Sequence, residues 1–249
     1  MRLRVVACEV IARELYHLAA RAPGVVDIHF LTQGLHDIGP EPMRAKLQEA
    51  IDETDTGLYD AVALGYALCS NGTDGIRARE IPVVLPRAHD CITLLLGSRE
   101  RYRHEFDTVP GTYYGSAGWY ERDHENLSNP GLAAAGGLGK RYEYEEYVAA
   151  YGEENARYIM EQLEGGLRHY ERFLFVETGL GGEDQARDAA RARADEEGWR
   201  FETTEADLTL LRKLVSRQWD DDFVVLEPGM RMIPTHDDRI MDCTTCRSF

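Results

Sequence analysis

The sequence has no apolar run approaching the roughly 20 residues that a helix needs to cross a bilayer. It is also poor in basic side chains, with 28 Lys and Arg against 44 Asp and Glu and a formal net charge of −16. Such a charge repels nucleic-acid backbones and anionic lipid, so no nucleic-acid partner and no membrane partner are expected. The N-terminal segment MRLRVVACE reads as a short strand and not as a secretory leader. These features predict a cytoplasmic protein.

Cysteine is scarce, with five residues in a chain of 249. Because cytoplasmic thiols are kept reduced, we expect metal ligands, nucleophiles or core residues and no disulfide framework. Cys243 and Cys246 form a C-x-x-C pair, but no second pair is present to complete a four-ligand zinc site. A flexible tail over residues 236–249 is the favoured interpretation, and a redox pair or an intermolecular site is the alternative.

What the sequence does contain is a regular alternation of short apolar segments and helical stretches. This pattern predicts an α/β fold with a mostly parallel, Rossmann-like sheet covered by helices, in a single domain over residues 1–249. Right-handed connections would bring the carboxyl ends of the strands to one edge, where ligands of such sheets bind. The predicted strands cover residues 4–7, 25–31, 59–64, 81–85, 173–177, a segment around 201, and 223–226.

The alternation breaks between residues 103 and 170, where we predict an insertion or lid followed by a helical segment. Residues 110–129 are rich in glycine and aromatic side chains and are predicted to be irregular. Tyr113, Tyr114 and Trp119 are candidate cofactor contacts, because aromatic side chains often line ligand pockets. They are equally common as anchors of a loop.

A glycine-rich turn, TGLGG, lies between a predicted strand and a predicted helix. Gly179, Gly181 and Gly182 could expose backbone amides to an anionic part of a cofactor at the start of that helix. The full G-x-G-x-x-G pattern is absent, so tight-turn glycines are the favoured explanation.

Sulfur and imidazole groups follow four successive predicted strands. Cys8 comes after the first strand, His36 after the second and Cys69 after the third, and His89 and Cys91 come after the fourth. Thiolate and imidazole together suit Zn²⁺, and three thiolates could hold a 4Fe–4S cluster. A single cysteine after a strand is more often a core residue, so the prediction depends on the joint pattern. The predicted metal ligands are Cys8, Cys69, Cys91 and His89.

Four side chains near these ligands are candidates for catalysis. His36 and His89 could act as general acid or base, and Glu9 and Asp90 could orient a ligating imidazole or move protons.

A nucleophilic cysteine is the alternative use of the same residues. Cys69 lies in a sharp turn before a possible helix, whose N-terminus would lower the pKa of the thiol. His36 or His89 would then serve as the base. This alternative leaves Cys8 and Cys91 unexplained.

Several segments resemble the domain-of-unknown-function 1638 family over residues 3–229: LHDIGPEPMRAKLQEAID, YDAVALGYALCSNGTDGIRAR, IPVVLPRAHDCITLLLGSRERY and PGTYYGSAGW. The five Cys and His residues of the predicted site lie in stretches that follow the family pattern. The family has no settled activity, but the resemblance implies a link to corrinoid-dependent methyltransferase systems of one-carbon metabolism. The CTTC tail lies outside the pattern.

Together these features predict a metal-dependent enzyme acting on a small molecule, with group transfer or hydrolysis in one-carbon metabolism as the favoured reaction class. The alternative is a non-enzymatic accessory protein that binds a metal or a corrinoid-type cofactor for a methyltransferase. A regulatory or scaffold protein with reduced cysteines and no metal is a third interpretation. The resemblance implies a corrinoid protein or a methyltransferase as partner, and the Tyr-rich helical stretch from residue 142 leaves a homo-oligomer open.

Overall fold

A computed structural model describes residues 2–36, 39–122 and 169–246, together with the single residues 148, 152, 153 and 157. Within the predicted 103–170 insertion and helical segment, residues 123–168 lie outside the described residues, apart from those four single positions. Within the described ranges, no helix has the length and apolar character needed to cross a membrane.

The described ranges contain strands and helices in alternation. The strands are β1 (Arg2–Cys8), β2 (Val25–Leu31), β3 (Ala61–Gly65), β4 (Val83–Pro86), β5 (Thr112–Ser116), β6 (Arg172–Glu177), β7 (Arg200–Glu205), β8 (Phe223–Leu226), β9 (Met230–Pro234) and β10 (Met241–Thr245). The helices with described bounds are α1 (Ala12–Ala19), α2 (Pro40–Asp52), α3 (Cys91–Leu96), α4 (Arg99–Thr108), α5 (Ala117–Glu121), α6 (Asp184–Glu197) and α7 (Thr209–Ser216), with 3₁₀ turns at Glu9–Ile11 and Gln33–His36.

The larger sheet has the strand order β2–β1–β3–β4–β8. The first four strands run parallel, and β8 runs antiparallel to β4. All five residues of β3 are buried, as expected for a strand covered by helices on both faces. The predicted α/β class, with a mostly parallel central sheet flanked by helices, is confirmed.

The order of the strands reverses between β1 and β3. The chain leaves β1 for β2 on one side and then crosses to β3 on the other side. In doubly wound sheets the crevice at the carboxyl ends of these two strands is the usual place for a ligand. A ligand site is therefore expected at the carboxyl ends of β1 and β3.

The smaller sheet is formed by β5, β6 and β7, all parallel. Its own core includes Tyr113, Phe173, Phe175 and Trp199, packed against the alanines of α6. Val176 of β6 belongs instead to the larger core, so the two sheets share packed surface.

The structure differs from the prediction at residues 112–121. This segment is strand β5 followed by helix α5, so an irregular aromatic and glycine-rich insertion is not confirmed. The strand could not be recognised locally because its partner β6 begins 60 residues later, at Arg172 opposite Thr112. Pairing at that distance leaves no signal in the sequence around the strand.

Two further boundaries differ from the sequence pattern. Residues 91–108 form two helices and not one continuous helix, because Gly97 adopts a left-handed backbone (φ 82°) that ends α3. Ser98 then caps α4, and its hydroxyl accepts a hydrogen bond from the Arg101 amide at 3.1 Å. In the predicted flexible tail, residues 241–245 form β10, which pairs antiparallel with β9 and buries Met241.

Candidate functional site

Cys8 and Tyr66 come together because β1 and β3 are neighbours in register. Ala7 of β1 lies opposite Gly65, the last residue of β3, and Cys8 and Tyr66 are the residues that directly follow these two. A Cβ on Gly65 would come within 2.5 Å of the Ala7 Cβ, so glycine allows the close approach of the strands here. Both side chains therefore emerge at the carboxyl edge of the switch point.

Cys69 and Cys91 are brought to the same edge by backbone pairing beyond the strands. The amide of Leu68 donates to the carbonyl of Ala88 at 3.0 Å, and the amide of Cys69 donates to the carbonyl of His89 at 2.9 Å. The segments after β3 and β4 thus continue side by side. Cys91, the first residue of α3, follows directly.

Cys69 opens a turn with an unusual backbone. Cys69, Ser70 and Asn71 have φ values of 46°, 54° and 67°, three consecutive left-handed residues that are not glycine. Each such residue costs about 1–2 kcal/mol. Strain of this kind persists only where the surroundings impose it, and it concentrates at functional sites. The turn closes with a hydrogen bond from the Gly72 amide to the Cys69 carbonyl at 2.9 Å.

The three cysteines occupy one buried environment. They are 1%, 6% and 8% exposed, in the order Cys8, Cys69 and Cys91. Burial raises the pKa of Cys8 to about 12, and burial also raises the pKa of Cys69 and Cys91. Negative charge on Cys8 further raises the pKa of both other thiols. We call Cys8, Tyr66, Cys69 and Cys91 the thiol pocket.

The neighbouring side chains that change the pKa of the thiols are acidic or neutral. Glu9 raises the pKa of Cys8, and Asp90 raises the pKa of Cys69 and Cys91, in each case after the larger effect of burial. A nucleophilic thiolate requires the opposite, a pKa lowered by a nearby cation or helix terminus. The electrostatics therefore do not favour the nucleophilic alternative for Cys69.

The thiols are not arranged as a finished coordination site. Within the described part of the chain, no group of three or more His, Cys, Asp or Glu side chains has an arrangement that could hold a metal ion. The chemistry of the pocket suits a soft metal, because it contains three sulfur atoms. Binding would require the sulfur atoms to turn toward a common point.

The two predicted carboxylates have structural partners. The Glu9 carboxylate accepts a hydrogen bond from the Gln33 backbone amide at 2.8 Å and so ties the 3₁₀ turn after β1 to the 3₁₀ turn after β2. The Asp90 carboxylate accepts from the amide and the hydroxyl of Thr93, at 2.9 and 3.0 Å, and caps α3. Their part in proton transfer stays a prediction.

The two predicted histidines lie in the segments after β4 and β2. The side chain of His89 is exposed, and its ring lies 6.0 Å from the ring of Tyr102. Tyr102 in turn stacks on Tyr114, with ring centroids 6.0 Å apart. His36 ends the second 3₁₀ turn, but its side chain lies outside the described part of the structure.

The predicted aromatic contacts are divided between two cores. Tyr113 packs in the smaller core, 5.3 Å from the ring of Trp199 and 5.2 Å from that of Phe173. Tyr114 and Trp119 are partly buried against the larger core. The alternation of side chains along β5 sends Tyr113 and Tyr114 to opposite faces, so the two do not form one surface.

The start of the TGLGG turn binds a carboxylate of the chain itself. Gly179, Gly181 and Gly182 have φ values of 70°, 84° and 75°. The Glu183 carboxylate accepts hydrogen bonds from the Thr178 amide at 2.7 Å and the Gly179 amide at 3.0 Å. Two amides that could bind an external anion are thus already used, which favours the tight-turn explanation.

The C-x-x-C pair lies on the hairpin of β9 and β10. Cys243 lies in β10, and Cys246 directly follows the strand. Both thiols are partly buried and free. The redox-pair alternative stays a prediction.

Tyr66 is the site residue that the sequence analysis missed. It is 1% exposed and is the largest of the fully buried side chains in the described ranges. The signal was present in the sequence, since Tyr66 directly follows β3 and Cys8 is the last residue of β1. Only the strand pairing indicates that the two are neighbours.

These features define a doubly wound α/β protein with a buried thiol pocket at its switch point. The family model described as "Protein of unknown function (DUF1638)" matches residues 30–215. The chain belongs to this family, and the predicted family membership is confirmed. Cys69 and Cys91 lie inside the matched range, and Cys8 lies before it. No curated protein and no solved structure matches the chain.

Proposed function

We propose that the thiol pocket binds a soft metal, either Zn²⁺ or an iron–sulfur cluster, through Cys8, Cys69 and Cys91. The observation that carries the proposal is that three thiols, from the end of β1 and from the segments after β3 and β4, are buried in the same core. There, charge on Cys8 raises the pKa of Cys69 and Cys91, and charge on Cys69 raises that of Cys91. Metal binding replaces the protons of such thiols, so it supplies the positive charge that the pocket lacks. Hard cations such as Mg²⁺ prefer oxygen ligands and are not favoured.

The protein would act as an enzyme on a small molecule at this metal. Three protein ligands leave one position open, and a metal bound in this way serves as a Lewis acid for hydrolysis or group transfer. His89 would be the fourth ligand or the acid and base. Its backbone carbonyl accepts a hydrogen bond from the Cys69 amide at 2.9 Å, and its side chain is exposed. A role in one-carbon metabolism and a cytoplasmic location belong to the same proposal.

A carrier or accessory protein is the second candidate, and the burial of the thiols favours it. A site closed to solvent suits the holding of a metal or a corrinoid-type cofactor more than repeated substrate exchange. The partner would then be a corrinoid protein or a methyltransferase. The two candidates differ in whether a coordination position is open to an external ligand.

Metal analysis of protein purified without oxygen tests the proposal. We expect about one zinc per chain, or about four irons with thiolate-to-iron absorbance. Cys69→Ser and Cys91→Ser should lose the metal, and the matched control Cys243→Ser should keep it. Metal at the wild-type level in Cys69→Ser would exclude the proposed ligands. A wild-type protein that neither contains metal nor takes up Zn²⁺, Co²⁺ or iron would exclude the proposal altogether.

The number of open positions separates the enzyme from the carrier. Azide or imidazole added to the Co²⁺-loaded protein should change its visible spectrum if a position is open. An unchanged spectrum at saturating azide and imidazole would favour the carrier.

A further inference from the structure

Strand β2 is one edge of the larger sheet, and it exposes a long row of backbone hydrogen-bonding groups. All seven of its residues, Val25–Leu31, pair in an unbroken parallel register with β1 on one side. Among the strands that the structure describes, none pairs with its other side. The opposite edge of the same sheet is β8, which has only four residues.

This edge lacks the usual protection against pairing with another strand. Soluble proteins protect open edges with proline, bulges or charged side chains. β2 contains no proline, and its register with β1 has no bulge. Its one acidic side chain, Asp27, forms an ion pair with Arg2 at 2.6 Å, so the negative charge is compensated. The backbone of β2 is therefore available to a further strand.

The side chains along this edge are mostly apolar and only partly buried. Val26, Ile28 and Phe30 alternate on one face of β2 and pack against the core without being fully covered. Tyr16 of α1 packs edge-on against Phe30, with ring centroids 5.2 Å apart, and is still 58% exposed. A strand added beside β2 would cover part of this surface.

The sequence of β2 is complementary to itself in the antiparallel direction. With a two-fold axis at Ile28, all seven residues of one copy lie opposite residues of the other copy. In this register Asp27 lies opposite His29 at two symmetric positions, which pairs a carboxylate with an imidazole that donates a hydrogen bond. A register centred on Asp27 would instead place two carboxylates opposite each other.

We propose that the chain forms a two-fold symmetric dimer in which the β2 strands of two copies pair antiparallel, centred on Ile28. The pairing joins the two larger sheets into one and adds about six to eight backbone hydrogen bonds. It does not depend on the proposed function, because it requires no ligand in the thiol pocket.

Analytical ultracentrifugation tests the dimer at about 0.15 M salt, since the charge of −16 on each chain opposes association when it is not screened. We expect twice the mass of the 28.2 kDa chain. His29→Asp should weaken association about 10-fold, because it places carboxylates opposite each other at two positions. Asp27→His combined with His29→Asp exchanges the two side chains and should restore association.

His104→Asp is the matched control, because it makes the same substitution at an exposed position of α4, outside β2. It should associate as the wild type does. Circular dichroism and thermal unfolding establish that each variant is folded.

Disulfide cross-linking tests the register without relying on His29→Asp. In a Cys243→Ser and Cys246→Ser background, Ile28→Cys places two thiols opposite each other across the axis, at a Cα separation of about 4.5–5.5 Å that suits a disulfide. Oxidised glutathione should therefore produce a linked dimer. Val25→Cys is the control, because the two copies of residue 25 would lie about 20 Å apart and should stay unlinked.

The outcomes decide the proposal. Wild-type protein that keeps the mass of one chain at about 100 μM, where even weak dimers form, would overturn it. A wild-type dimer that gives no link in Ile28→Cys, or whose affinity is unchanged in folded His29→Asp, would use another surface and would overturn it too.

Discussion

Gly118 of α5 lies directly against the backbone of Val10: a Cβ at position 118 would come within 1.7 Å of the Val10 carbonyl oxygen. The contact joins the helix after β5 to the 3₁₀ turn after β1, two residues from Cys8. The smaller sheet is thereby held close to the carboxyl edge where the thiol pocket lies.

The first prediction concerns this contact. Gly118→Ala should lower the free energy of unfolding by more than about 2 kcal/mol, because a methyl group cannot enter the space without moving backbone. Gly34→Ala is the matched control, since a Cβ there meets nothing within 4 Å. Urea unfolding measures both. Equal stability of the two variants would contradict the close contact.

The second prediction concerns Glu14, a buried carboxyl on α1 whose Oε2 has no hydrogen-bond partner among the described residues. Burial raises the pKa of Glu14 to about 7 from the ordinary 4.5, and Glu183 and Glu121 raise it further while Arg13 lowers it. Arg13 is itself paired with Glu121 at 2.7 Å. The junction of α1, α5 and the TGLGG turn therefore holds a proton that the unfolded chain releases.

The sign of the pH dependence follows from this difference. Between about pH 4.5 and pH 7 the folded state binds more protons than the unfolded state, so stability falls as pH rises through this window. The loss reaches at most about 3 kcal/mol above the folded pKa. Glu14→Gln should remove this part of the dependence and be more stable than wild type at pH 8. The measurement is urea unfolding from pH 5 to pH 8.

The exposed Glu49→Gln is the control for Glu14 and should follow the wild-type curve. A curve for Glu14→Gln that runs parallel to the wild type across the whole range would show that Glu14 does not hold the proton.

The third prediction concerns Arg172, a buried cation that links several elements. It donates to the Thr112 hydroxyl at 2.9 Å and pairs with Glu105 at 2.8 Å and Glu202 at 3.2 Å. Arg172→Ala should cost about 3 kcal/mol, because it leaves the Glu105 carboxylate poorly compensated in a partly buried position. Thermal unfolding gives the value. Lys46→Ala, which breaks an exposed ion pair with Glu49, should leave the melting temperature unchanged. A similar fall in melting temperature in both variants would contradict the buried network.

The fourth prediction concerns the left-handed turn. Ser70→Gly should raise the free energy of unfolding by about 0.5–1 kcal/mol, because glycine adopts a positive φ without steric cost. Ser70→Val should lower it, since a β-branched residue is the least tolerant of this backbone. The serine side chain is exposed, so lost packing does not complicate the comparison. The strain would be excluded if glycine destabilised the protein as much as valine.

Part of the candidate site could be anticipated from the sequence. Short apolar runs followed by Cys8, Cys69 and Cys91 were sufficient to place the thiols at strand ends, and the parallel pairing of β1, β3 and β4 agrees with that placement. The raised pKa of each thiol could not be anticipated, because it depends on burial by distant segments. The same holds for Tyr66, whose relation to Cys8 exists only through the pairing of two strands.

The sequence by itself determined the α/β class, because the period of apolar residues and the capping signals act over a few residues. It also determined the family, since the matching segments are contiguous. Only the tertiary structure decided that β5 pairs with β6 in the smaller sheet, and that residues 241–245 pair with β9. These pairings depend on contacts between residues far apart in the chain, and a local sequence pattern does not indicate the free energies of such contacts. The raised pKa values in the thiol pocket also depend on such contacts, because the three thiols are buried only when β1 and the segments after β3 and β4 come together.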